Sequence, residues 1–407
     1  MSPWLRTNLK AVALVLSSGL GAAGASTSDS AQCIPSISYL ALDPEVAGAD
    51  DKGLPVLGGY ERISPDGRFV LRSYSGGQLG QVSLIELPPP GTNEPIRTHP
   101  TPLSNEAFPV QGSWRYLVDV SGQHYRFAEV LTQGRAARPL FRGGMNGFYA
   151  VAAEMSPVAV DASSDGKDAG KDVYIRSLSW PQGGNVDDQG VGPLQLETLR
   201  VRDDGDTARV VSSTGGRYIC RNRTAVDGAS FALPMLSVDG TEFSAVPQAP
   251  RQGQPSMRIY SLATEPLAAA QPCELVQDLG QTVSKSVFGF ATGTASPWLT
   301  YSDVGSVYIH DRQLQRSFRL DRARDHVVAS AFPGLTRDGR VIYAATWRDC
   351  AERTRCPKRA GYVVVDPYQN SEYRAYWQAR GQPAPKTCIT QAEVQEQRAH
   401  FAARHGL

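Results

Sequence analysis

Apolar and polar positions along this chain alternate in short runs, bounded by Gly, Pro, Asp and Ser, and the runs come in pairs. Phe69-Val70-Leu71 follows Ser64-Pro65-Asp66-Gly67, and the alternating Val82-Ser83-Leu84-Ile85-Glu86-Leu87 follows Gly76-Gly77. Pro presets φ, Asp bonds the backbone that follows it, and Gly accepts positive φ, so each pair reads as two strands entered through a tight turn. Two close echoes recur. Leu236-Ser237-Val238-Asp239-Gly240 precedes Glu242-Phe243 and then Met257 to Leu262, and Leu335-Thr336-Arg337-Asp338-Gly339 precedes Val341 to Tyr343 and then Tyr362 to Asp366. Three further pairs lack the Asp-Gly: Trp114 to Val120 with Tyr125 to Val130, Pro157 to Asp161 with Val173 to Leu178, and Trp298 to Ser302 with Ser306 to Asp311.

The second strands, marked by Ile85, Phe127, Ile175, Ile259, Ile309 and Val364, are spaced about 40 to 55 residues apart, with one gap of about 84. Strand pairs at that period predict four-stranded blades. The expected fold is all-β: a six-bladed propeller of antiparallel blades over residues 59–380, with seven blades as the alternative. The gap falls between Leu178 and Gly228, where Leu196 to Val201, Ala208 to Ser212 and Tyr218 to Cys220 also read as strands. It is either an extra hairpin on one blade or a decayed blade, and as the unrepeated part of the chain it ranks as a contact surface. Ile37 to Leu42, within the segment 26–58, is a strand candidate placed to close the ring from the N-terminal side. Glu372 to Trp377 reads as a last strand. In the tail 381–407, Thr390-Gln391-Ala392-Glu393 is a capping box opening a short helix with a thin apolar stripe, suited to packing on the propeller.

At Ile63 to Phe69 and Ser306 to Asp311 the sequence resembles the TolB-type β-propeller repeat, a Ser-Pro-Asp-Gly-(Lys/Arg) turn before an apolar strand and then an (Ile/Val)-Tyr-x-x-Asp-like strand. The resemblance covers roughly residues 55 to 380 and implies the fold. It belongs to binding scaffolds and to peptidase accessory domains alike, so it names no activity.

Residues 1–25 carry Arg6 and Lys10, an apolar run from Ala11 to Leu20, and Ala23-Gly24-Ala25, the layout of a secretory signal peptide. A periplasmic or secreted protein is expected, without a transmembrane anchor, because no apolar run is long enough to span a bilayer. The leader holds two of the 41 basic residues and none of the 40 acidic ones, leaving a mature formal charge of −1. Such a balance argues against a nucleic-acid partner.

All six cysteines, at 33, 220, 273, 350, 356 and 388, lie beyond the leader. In an exported chain they favour disulfides. Cys350 and Cys356 bracket a charged hairpin tip and are the expected pair; Cys33 with Cys388 and Cys220 with Cys273 are the pairings then left.

Candidate chemistry is sparse. No metalloprotease His-Glu-x-x-His, phosphate loop or Gly-x-Ser-x-Gly elbow occurs in the sequence. Asp161, Ser163, Asp165 and Asp172, with Gly166, fall at calcium-loop positions. Asp172 stands where a bidentate Glu is needed, however, so the stretch is read as a solvated hairpin tip with calcium as the alternative, and no cofactor is expected. His99, His124, His310, His326, His400 and His405 are scattered and read as structural. Trp114, Trp298 and Trp347 read as packing between blades. The expected function is a binding or scaffold module that engages a protein or peptide through its channel mouth and loops. The alternative is a propeller enzyme, a lactonase, sugar dehydrogenase or glycan-acting protein, whose residues would converge in the channel.

Overall fold

A computed structural model describes residues 33–35, 37–43, 60–73, 82–100, 107–109, 116–121, 124–129, 139–141, 158–161, 172–179, 192–203, 208–220, 230–237, 240–247, 256–263, 273–281, 288–290, 298–303, 306–320, 326–328, 333–336, 338–348, 356–381 and 389–405. Their strands sort into six antiparallel sheets. The first holds β2 (Tyr60–Ile63), β3 (Phe69–Ser73), β4 (Val82–Glu86) and β5 (Arg97–Pro100). The second holds β6 (Ala107–Pro109), β7 (Tyr116–Ser121), β8 (His124–Glu129) and β9 (Pro139–Phe141). The third is β10 (Val158–Asp161), β11 (Asp172–Ser179), β13 (Gln195–Asp203) and β14 (Ala208–Ser213), with β15 (Arg217–Tyr218) also paired to β13.

The fourth sheet runs β12 (Gly192–Pro193), β16 (Ser230–Leu236), β17 (Glu242–Pro247), β18 (Ser256–Ser261), β19 (Glu274–Gln281). The fifth is β20 (Phe288–Phe290), β21 (Trp298–Asp303), β22 (Ser306–Asp311) and β23 (Arg316–Arg319). In the sixth, β24 (His326–Val328) and β25 (Gly334–Leu335) both pair β26 (Val341–Arg348), which pairs β27 (Lys358–Val365).

The last strand of that sixth sheet is β1 (Ile37–Ala41), which pairs β27 from Ile37 opposite Val365 to Ala41 opposite Gly361. A Cβ on Gly361 would lie 2.0 Å from the Leu40 carbonyl oxygen, so this close approach requires glycine. Each sheet touches the next in chain order, and β2 of the first meets β25 of the sixth. The molecule is a β-propeller. Three sheets have four strands and three have five.

The sequence pattern predicts six four-stranded blades, with seven as the alternative, and the blade count is corrected. Among the described residues five sheets pack as blades, and β6–β9 adds a four-stranded ladder. Among the described residues there is no seventh sheet. The long gap after Leu178 reflects an enlarged third blade, because β13 joins β11 and itself pairs both β14 and β15, while β12 crosses to β16.

Period-two patterning explains how the blades stack. On β26 and β27, Val341, Tyr343, Ala345, Val363 and Val365 pack with Val307, Ile309 and Phe318 of the fifth sheet. The intervening Ile342, Ala344, Tyr362 and Val364 pack with Val70 and Ile85 of the first. A strand between two blades is buried on both faces, which is why these strands read as nearly continuous apolar runs. Likewise, Leu178 and Leu196 pack on Phe243 and Ala245, and Met257 and Ile259 on Leu299 and Tyr301.

The strand expected at Glu372 to Trp377 is instead a helix, α1 (Ser371–Gln378). Asn370 caps it by accepting from the Tyr373 amide at 3.0 Å, and Tyr373, Tyr376 and Trp377 form a helical stripe on the core of the fifth and sixth blades. The outer place in the last blade is already filled by β1.

The tail forms α2 (Gln391–His405). Its capping box closes as expected: the Thr390 amide donates to Glu393 Oε2 at 2.9 Å, and the Glu393 amide to Thr390 Oγ1 at 3.3 Å. Val394, fully buried with Ile34 and Ile389, anchors it. Val394→Ala is expected to cost about 1.5 kcal/mol by lost burial. Amide exchange should then quicken roughly tenfold in α2 while the blades stay protected; uniform quickening would show that α2 and the propeller open together.

Candidate functional site

The repeated turns are structural. Ser64 Oγ donates to Asp66 Oδ1 at 2.5 Å and accepts from the Phe69 amide at 2.8 Å, while Asp66 Oδ1 accepts from the Arg68 amide at 2.9 Å. Thr336 takes the same role beside Asp338, and Ser237 accepts from the Glu242 amide at 3.0 Å. Gly67, Gly240 and Gly339 all carry positive φ. Asp66 is thus a turn residue. Burial raises its pKa.

Arginines clamp these turns from neighbouring blades. Arg340 Nη2 reaches the Asp66 carbonyl at 3.3 Å, and the buried Arg176 guanidinium donates to the Gly240 carbonyl and, at 2.8 Å, to that of Ala263. Arg312 grips both oxygens of Glu242 at 2.7 and 2.8 Å. Glu61, on β2, is 3% exposed; it lies 3.7 Å from Arg72 Nε and accepts from Tyr362 Oη at 3.1 Å. Burial raises its pKa to about 7 against the lowering influence of Arg72 and Tyr362.

The expected site residues do not converge. Cys350 lies outside the described residues; Cys356 is disulfide-bonded, as is Cys33. Residues 162–171 of the calcium-like stretch are also outside, while Asp172 is engaged by Arg200 and by Arg202 at 2.9 Å. Those bonds, with Arg202 the largest influence, lower its pKa to about 2, so this carboxylate already has its counter-ions. His310 is buried, with Nδ1 3.0 Å from Ser317 Oγ and Nε2 3.0 Å from the Gln277 side-chain nitrogen. Desolvation lowers its pKa to about 4, which leaves it neutral at physiological pH. His326 sits on β24.

Trp298 packs against Tyr368 at 4.6 Å, as the interblade reading requires, and Trp347 lies 5.1 Å from Tyr39. Trp114 lies outside the described residues. Among the described residues no group of three His, Cys, Asp or Glu side chains is placed to hold a metal ion, and no helix is long and apolar enough to cross a membrane.

What the structure does bring together is an outer rim. The Cys220–Cys273 disulfide, Cα to Cα 4.8 Å, ties the end of the third blade to the entry of β19 in the fourth. On β19, Leu275 is 54% and Val276 46% exposed. Val276 is the extra residue at a register shift, between Leu275 opposite Tyr260 and Gln277 opposite Ile259, so the strand is bulged where its apolar side chains reach solvent. It pairs β18 on one side, with two register shifts, and has no further strand beside it among the described residues. Val211, on the outer strand β14 of the disulfide-joined blade, is 46% exposed. An eight-residue edge strand with exposed apolar side chains offers unpaired N–H and C=O groups to an incoming strand.

The sequence pattern flagged the region up to Gly228 but not β19. The apolar pair Leu275-Val276 between Glu274 and Gln277 was the signal available.

No protein-family model matches the chain, and no curated protein matches it. Similar solved structures include oligogalacturonate lyase in complex with manganese, 13% identical over 76% of this chain and 89% of that one, TM-score 0.37. TolB from Acinetobacter baumannii is 12% identical over 70% of this chain and 62% of that one, TM-score 0.34. The WD40 domain of SCAP from fission yeast is 9% identical over 79% and 66%, TM-score 0.31. At these values the likenesses assign no activity, ligand or partner.

Proposed function

We propose that the protein is an exported propeller that binds a protein or peptide partner, and that the partner docks as an extended strand along β19. The observation that carries this reading is the eight-residue edge on which Leu275 and Val276 are exposed. Main-chain hydrogen bonds would supply affinity and the alternating side chains selectivity. The Cys220–Cys273 bond fits an oxidising compartment and holds the entry of the strand against the neighbouring blade. The expected Cys350–Cys356 pairing belongs to the same proposal, as a second staple.

The test places a photo-crosslinking amino acid at Leu275 or, as control, at the exposed Gln378 on α1, and irradiates cells of the native host. A discrete adduct is expected at position 275, and Val276→Lys should diminish it. Equal labelling at both positions would sink the proposal.

A further inference from the structure

Away from the rim, α2 crosses the first blade and encloses a cleft of about 330 Å³ with the β4–β5 connection. Its apolar wall is Leu87, Pro88, Pro89, Pro95 and Ala399. Its charged groups are Arg68, Arg97 and Arg398 against Glu86 and Glu94. Two of these cancel: Arg68 holds Glu86 Oε1 through Nε at 3.0 Å and Nη2 at 2.8 Å, while His99 Nε2 lies 3.0 Å from Glu86 Oε2.

Arg398 is different. Its Nη2 makes only long contacts, 3.4 and 3.3 Å, with the carbonyls of Leu87 and Pro88, and its buried Nε has no hydrogen-bond partner. The nearby Asp66 carboxylate spends Oδ1 on its own turn, and its buried Oδ2 is likewise unpartnered. Burial lowers the Arg398 pKa to about 10, opposed by the Asp66 carboxylate and by Glu86, while Arg340 and Arg68 push it the same way as burial. The guanidinium therefore stays charged at neutral pH. A cation in that position gains from an acceptor with carboxylate geometry.

We infer that this cleft is a binding site for a small organic monocarboxylate, its carboxylate on Arg398 with Arg97 at the entrance and its apolar body on the proline wall. A volume of this size is at the small end of ligand pockets, and a lining of three arginines against two glutamates, one net positive charge, suits one negative charge rather than a polyanion. Neither the repeat pattern nor the rim requires such a cleft.

The experiment is calorimetric titration of the full mature chain with benzoate and with its neutral isostere benzamide. Benzoate should bind saturably with Kd on the order of 1 mM, as the ligand's size permits, and benzamide at least about tenfold more weakly. Arg398→Gln should weaken benzoate about tenfold and Arg97→Glu about threefold. Because Arg398 also touches backbone, amide exchange of α2 is recorded alongside; if Arg398→Gln loosens the helix, the surface variant Arg97→Glu decides. Equal binding of benzamide and benzoate, no saturable binding of either up to tens of millimolar, or unchanged affinity in both variants would overturn the inference.

Discussion

Replacing Cys220 and Cys273 together with serine lowers the unfolding free energy by about 4 kcal/mol, the loop-closure value for a bond spanning 53 residues. The double replacement avoids a reactive lone thiol. The bond spans two blades whose common core is Leu178, Leu196, Phe243 and Ala245, so its loss acts mainly by releasing the unfolded chain. Urea unfolding of the serine variant beside wild type measures the effect, and reductant, which also breaks the bonds of Cys33 and Cys356, should lower stability at least as far. The same loss should loosen β19, whose first residue follows Cys273. Faster amide exchange there than in β26 would place the change at the rim. A stability loss under about 1 kcal/mol would mean that packing alone holds the two blades together.

The turns and the blade repeat were legible because they are local. A hydroxyl, an Asp and a Gly within four residues determine the Ser64 and Thr336 turns, and the hydrogen bonds close within the same stretch. The capping box at Thr390 is local too. What depended on distant neighbours was not legible. Glu372 to Trp377 has strand-like aromatic content, yet it forms a helix because Asn370 caps it and β1 occupies the outer place in the blade.

Leu275 and Val276 carry the same apolar signal as a buried strand, and their exposure goes with β19 ending its sheet among the described residues, which the apolar pattern does not encode. The cleft is the extreme case. Pro88-Pro89-Pro90-Gly91 reads only as a break between ladders, and Arg398 only as one charge on a tail helix. Their meeting joins positions 310 residues apart.

The ring closure should also respond to pH through Glu61. This carboxylate belongs to β2 of the first blade and accepts from Tyr362 of the sixth, so it sits on the seam where the chain's two halves meet. Burial raises its pKa from 4.5 to about 7 despite Arg72 at 3.7 Å. Between those two values the folded state holds a proton that the unfolded state has released, so stability falls as pH rises and levels off above pH 7. The loss attributable to Glu61 across that window is about 3 kcal/mol. Glu61→Gln keeps an oxygen for Tyr362 Oη and removes the titration. Unfolding free energies of wild type and Glu61→Gln, measured at about pH 5, 6, 7 and 8, should therefore diverge, with wild type falling relative to the variant. Parallel curves would show that Arg72 holds the carboxylate ionised throughout. The seam would then be sealed by an ion pair rather than by a neutral hydrogen bond.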